Sequence, residues 1–80
     1  MQLIYTPHQQ FHGAVVVGKK VSKKAVRRNQ LRRRVYGHLY RWHTQTETTG
    51  VYIVILKPAA NQATRKEVVG ALENVLTKLP

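Results

Sequence analysis

Two rhythms of apolar residues run along this chain. Short apolar clusters broken by polar joints occupy the first 18 residues and return near residue 51. Elsewhere apolar residues recur every three or four positions, around residues 25–43 and 64–79. The first rhythm suits strands and the second suits helices, because strand side chains alternate faces while helical ones return about every 3.6 residues. Gln2–Thr6, carrying Leu3, Ile4 and Tyr5, is a candidate strand that Pro7 ends, since proline has no N–H to give a ladder. His8–His12 is a polar connection, and Gly13 permits a turn. Ala14–Val17 is a largely β-branched run that reads as a second strand, closed by Gly18. The short connection predicts that these two strands pair as a hairpin.

A helix is predicted to begin near Ala25–Arg28 and to run to about His43. On a helical wheel Leu31, Val35, His38, Leu39 and Trp42 share one stripe, with Gln30, Arg33, Arg34, Gly37 and Arg41 roughly opposite. Asn29, Tyr36 and Tyr40 lie on the flank. Thr44–Gly50 is polar and threonine-rich, a loop. Val51–Leu56 is continuously apolar, so it is predicted to be the central strand and covered on both faces. Lys57 and Pro58 end it, and Ala59–Ala63 is a loop. Thr64 and Glu67 have capping-box spacing, which starts a second helix with Val68, Leu72, Val75 and Leu79 on its apolar face and Val69 and Leu76 beside them. The order strand, strand, helix, strand, helix predicts a small two-layer α+β sandwich, one domain over residues 1–80, with two helices on one sheet face.

Charge changes this picture. The net charge is +11, and nine of the 14 Lys and Arg residues lie between Lys19 and Arg34. No acid precedes Glu47. An unmixed run of this kind repels itself unless a polyanion neutralises it, so RNA, DNA or an anionic membrane surface is implied. The longest apolar runs, Ala14–Val17 and Val51–Leu56, are too short to span a membrane, and nothing at the N-terminus resembles a signal peptide. There are no cysteines, which excludes disulfides and thiolate metal sites and agrees with a cytoplasmic setting. Acid–base machinery is sparse. The chain has three Glu and no Asp, and the four histidines are the remaining candidates. His8 and His12 are expected exposed at the hairpin tip. His38 and His43 are five apart and do not share a helical face well. Contacts are better provided for: arginine forks and lysine charges suit phosphates, and Tyr36 and Tyr40 beside the basic face suit stacking on unpaired bases.

The residues that carry this charge also carry a motif. Val15–Val17, Gly18 and Lys19-Lys20, followed after seven residues by Arg28-Asn29-Gln30-Leu31-Arg32-Arg33, resemble the protein component of bacterial ribonuclease P. Val51–Leu56 with Lys57 and the helix Thr64–Leu79 resemble the same family's later strand and C-terminal helix, so the likeness covers about residues 3–79. It implies a ribosomal protein S5 domain 2-like fold with a left-handed βαβ crossover. It also implies a job: binding a large catalytic RNA and holding the 5′ leader of precursor tRNA while that RNA and its Mg2+ ions cut the phosphodiester. No catalytic residue and no metal ligand is then expected of the protein, and no DNA or membrane partner. Lys19, Lys20, Arg28, Asn29, Arg32 and Arg33 match the RNA-contacting motif. Lys23, Lys24, Arg27 and Arg34 join them on charge. Gln30 stands where the motif has a second arginine, and can hydrogen-bond RNA without a charge-assisted contact. Tyr5, Val15, Val17 and Lys57 are the expected sheet side of the leader cleft. The family's N-terminal helix has no counterpart in the sequence, a shortened form whose first element reads as a strand.

Two other readings fit parts of the sequence. A general RNA-binding or ribosome-associated basic protein fits the charge and size equally well, but not the ordered Lys-Lys and Arg-Asn motifs. A self-sufficient nuclease would have to work with His8 and His12.

Overall fold

A computed structural model describes residues 1–79. The chain forms β1 (Gln2–Thr6), β2 (Phe11–Val16), α1 (Ala25–Thr46), β3 (Gly50–Ile55), a 3-10 turn (Pro58–Asn61) and α2 (Arg65–Thr77). The predicted β-β-α-β-α order and the α+β class hold, with differences at the edges of elements, among them β3, which runs one residue earlier than expected at both ends. β2 begins three residues earlier than expected. α1 continues through Thr46 and stops at Glu47, whose φ of 54° is left-handed. The capping box forms as read: Thr64 Oγ1 accepts from Glu67 N at 3.2 Å, and Glu67 Oε1 accepts from Thr64 N at 2.9 Å.

The strand order is β1-β3-β2, so the expected hairpin does not form. β3 inserts between the first two strands, antiparallel to β1 and parallel to β2. The most apolar strand thus gains a ladder on both edges. The connection Pro7–Gln10 then has to pass over the start of β3. Gly50 makes that passage possible. Its N–H donates to Gln10 O at 3.0 Å, its φ is +118°, and a Cβ there would stand 2.5 Å from the Tyr5 ring.

The register separates the two faces of the sheet. Leu3 and Tyr5 of β1, Tyr52 and Val54 of β3, and Phe11, Gly13 and Val15 of β2 point toward the helices. α1 lies over β2 and α2 over β1, and the core comprises Val15, Val17, Val21, Leu31, Val35, Leu39, Tyr52, Val54, Leu56, Val68, Leu72 and Leu76. Leu31, Val35 and Leu39 continue the predicted stripe into that core, while His38 and Trp42 sit half-buried at its margin. On α2 it is Leu76 that is buried, with Val75 and Leu79 only partly so. The opposite sheet face carries Ile4, Ala14, Val16, Val51, Ile53 and Ile55 and has no helix over it in the described residues. β3 is therefore covered on one face only, and Ile4 and Val16 are 42% and 48% exposed. Its continuous apolarity reflects a central position and an apolar outer face rather than two covering layers.

Rings close one end of the sandwich. Tyr52 is buried, donates its hydroxyl to Thr49 O at 2.7 Å, and has Tyr5, Trp42 and Phe11 at centroid distances of 5.0, 5.3 and 5.7 Å. Burial pushes its phenol above the ordinary range, so it remains a donor. No helix of the described residues is long and apolar enough to cross a membrane.

Candidate nucleic-acid interface

The basic run folds into a turn followed by the exposed side of a helix. Val21 is buried and anchors the turn, and its N–H donates to Gly18 O at 3.0 Å. With that one apolar residue held inside, Lys19, Lys20, Lys23 and Lys24 are left outside and exposed. Lys24 is the N-cap of α1, no side chain caps it, and the first turn holds no acid. The turn and the start of α1 line an open groove of about 620 Å³. The positive end of the helix dipole adds to the lysines there.

The arginines divide by what they touch. Arg27 is committed to the fold: its guanidinium donates to Asn61 O at 2.9 Å, to Asn61 Oδ1 at 3.4 Å and to Gln30 Oε1 at 2.8 Å. Gln30, at the motif's second arginine position, is thereby tied to Arg27. Arg28 is half-buried and donates to Ser22 O at 3.0 Å, which clamps the basic turn to the helix. Arg32 donates to Asn29 Oδ1 at 2.7 Å and so orients that amide. Arg33 is exposed and Arg34 half-buried, and with Val26, Asn29 and Gln30 they line a second groove of about 570 Å³. Of the eleven predicted RNA-facing residues, the four lysines fall on the turn up to the N-cap of α1 and the other seven within the first turns of that helix. Five of them, Arg27, Arg28, Asn29, Gln30 and Arg32, already hold one another or the backbone.

The residues expected at the leader cleft scatter. Val15 and Val17 are 8% and 5% exposed and lie under α1, so they do not face the open side of the sheet. Strand alternation explains the correction: one residue along, Val16 takes the outward position, with Ala14 and His12 beside it. Tyr5 also points to the helical side, packed against Tyr52, though its rim remains open. Lys57 is exposed and follows β3 level with Gly18, at the Lys19–Lys20 end of the sheet.

Sequence reasoning missed Asn61, which reaches Arg27 across 34 positions from the 3-10 turn, a contact with no local signal. It also passed over Val26, which is 82% exposed among the basic residues. His8 and His12 are exposed, as expected, but stand on the link and on β2 rather than on a hairpin tip. Their rings meet edge-on at 4.8 Å, and His8 Nδ1 accepts from Gln10 N at 3.0 Å. Among the described residues no three His, Asp or Glu side chains are grouped to hold a metal ion.

The family model described as Ribonuclease P matches residues 1–80. The chain belongs to the ribonuclease P protein-component family. A curated relative from Prochlorococcus marinus (strain MIT 9303), named Ribonuclease P protein component, is 42% identical over 67 residues, covering 75% of this chain and 52% of that protein. Another of the same name, from Synechococcus sp. (strain CC9902), is 37% identical over 65 residues, covering 79% of this chain and 51% of its own length. The chain spans about half the length of these curated relatives. No solved structure matches it significantly. In this ribonuclease P family member the Lys-Lys pair falls on the exposed turn and the Arg-Asn motif on the first turns of α1, which are joined by the Arg28–Ser22 bond.

Proposed function

We propose that the chain acts as the protein subunit of a ribonuclease P, binding the catalytic RNA through the Lys19–Lys24 turn and the exposed side of α1. The observation that supports this reading is the run of nine Lys and Arg with no acid from Lys19 to Arg34, carried in part on a turn that one buried valine and one arginine bond hold in shape. Lys19, Lys20, Lys23, Lys24 and Arg33 supply phosphate contacts, with Arg34 at the margin. Arg28 keeps the turn and helix in register, Arg27 ties the helix to the 3-10 turn through Asn61, and Asn29, Gln30 and Arg32 present an ordered polar rim. The open sheet face, with Val16, Ile4 and Ile53, is the surface on which the 5′ leader of precursor tRNA lies, and Lys57 adds a charge at its end.

The protein on this reading supplies charge and position, and the RNA with its own Mg2+ ions supplies the phosphodiester chemistry. The reaction is endonucleolytic maturation of tRNA 5′ ends, in the cytoplasm. It is tested by precursor-tRNA processing at low magnesium with a bacterial ribonuclease P RNA, with and without the chain, and with the chain alone. The reading expects stimulation that depends on the RNA. Tight, salt-sensitive binding to many RNAs without stimulation replaces it with a general RNA-binding protein. Cleavage by the chain alone, abolished by His12→Ala, replaces it with a protein nuclease.

A further inference from the structure

β2 is an edge strand, and its free edge faces a groove rather than bulk solvent. Bonds at the two ends of the β2–β3 ladder fix which residues look outward: Gly50 N donates to Gln10 O and Leu56 N to Val16 O, both at 3.0 Å. In a parallel ladder alternate residues direct both main-chain groups to the partner, so the even-numbered residues of β2 serve β3. The N–H and C=O of Gly13 and Val15 point the other way. No turn or side chain of the described residues takes them up. They border a groove of about 500 Å³ whose far wall is Arg32, Arg33, Tyr36 and Gly37 of α1.

The walls differ in chemistry. Tyr36 is 40% exposed and packs over bare backbone, for a Cβ on Gly13 would lie 3.3 Å from its ring. Tyr40 backs it, with rings inclined 20° at 6.4 Å. Gly37 leaves the groove unobstructed, since a Cβ there would meet nothing within 4 Å. Arg33 is exposed at the rim. We propose that this groove takes one unpaired RNA nucleotide, with its base on Tyr36, the polar edge of the base on the main chain of Gly13 and Val15, and its phosphate on Arg33. The proposal rests on the RNA-binding reading above and adds a site for a single splayed base, separate from the open sheet face and from the lysine turn. Two donors and two acceptors on one strand edge suit a nucleobase edge, and an aromatic face accepts any base. A peptide strand added to β2 would use the same main-chain groups. The groove spans only Gly13–Val15, however, and two arginines flank it, which favours a short anionic ligand.

The test compares two probes by fluorescence anisotropy: a labelled six-nucleotide oligouridylate and a fully paired RNA duplex. Tyr36→Ala should weaken the oligouridylate about ten-fold and leave the duplex unchanged, while Tyr36→Phe keeps both. Gly37→Leu fills the groove from its open side and should produce the same selective loss with melting temperature maintained. In the wild-type chain the amide resonances of Gly13 and Val15 should shift with oligouridylate and not with duplex. Equal losses on both probes, or no loss on the oligouridylate, overturn the site. Displacement of oligouridylate by an acidic hexapeptide, with the same dependence on Tyr36, gives the groove to a peptide instead. Failure of the wild-type chain to bind either RNA removes the RNA-binding reading itself, a result distinct from the others.

Discussion

Gly50 and Glu67 show how much single positions decide here. At φ +118° Gly50 lies where an L side chain is strained, and an added Cβ would also press on Tyr5. Gly50→Ala is therefore expected to cost about 1–3 kcal/mol, read as a lower urea midpoint with an unchanged slope. The Glu67 carboxylate accepts from the backbone N–H of Thr64 and lies beside the Thr64 hydroxyl, which together hold its carboxyl below the ordinary range. A depressed folded value means that this contribution is present above the unfolded carboxyl value, about 4.3, and is lost as pH falls through the lower folded one. Glu67→Gln keeps an acceptor in the capping box but cannot titrate. Melting temperatures followed from pH 5 downward should fall less in that variant, and parallel curves would show that the cap does not contribute to acid sensitivity.

At the scale of elements, α1 serves two purposes with two sides. Leu31, Val35 and Leu39 bind it to the sheet, and its outer side together with the Lys19–Lys24 turn forms the cationic surface. The arginines on it should respond differently to truncation. Arg28→Ala removes the clamp on Ser22 O, a charge-assisted bond on a half-buried side chain, and should cost about 1–2 kcal/mol of stability. Arg33→Ala touches no such bond and should leave stability unchanged. It should flatten the slope of log affinity against log salt by about 0.7–0.9, the share of one phosphate contact. If both variants alter only the salt slope, Arg28 is a ligand of RNA rather than a brace.

For the whole molecule the ruling quantity is +11 on 80 residues. So small a domain buries a modest core, and its own charge opposes compaction. Anions held at the lysine groove more tightly than on the unfolded chain would stabilise the fold by mass action. At ten times their dissociation constant the gain is about 1.4 kcal/mol, or several degrees of melting temperature. Sulfate should therefore raise the melting temperature more than chloride at equal ionic strength. Identical curves would mean that only general screening acts and that the groove gathers no ion.

Periodicity and charge alone determined the element types, their order, the core stripe of α1, the capping box and the basic surface, because each is a local property of neighbouring residues. The ordered spacing of Lys19-Lys20 and Arg28-Asn29 carried the family likeness for the same reason. Which strands neighbour one another was not legible. Pairing is a competition among all edges, and β3, the last strand in the chain, holds the place between β1 and β2 in preference to the hairpin that proximity favoured. That outcome set which side of β2 faces the helices, and so buried Val15 and Val17 and turned Val16 outward. It also tied Arg27 to Asn61, which reaches it only when distant segments fold together, whereas Ser22, six residues from Arg28, is a near neighbour in the chain. The division of a uniform run of charge into residues that hold the fold and residues free for a partner belongs to tertiary structure, because it depends on which acceptors come within reach.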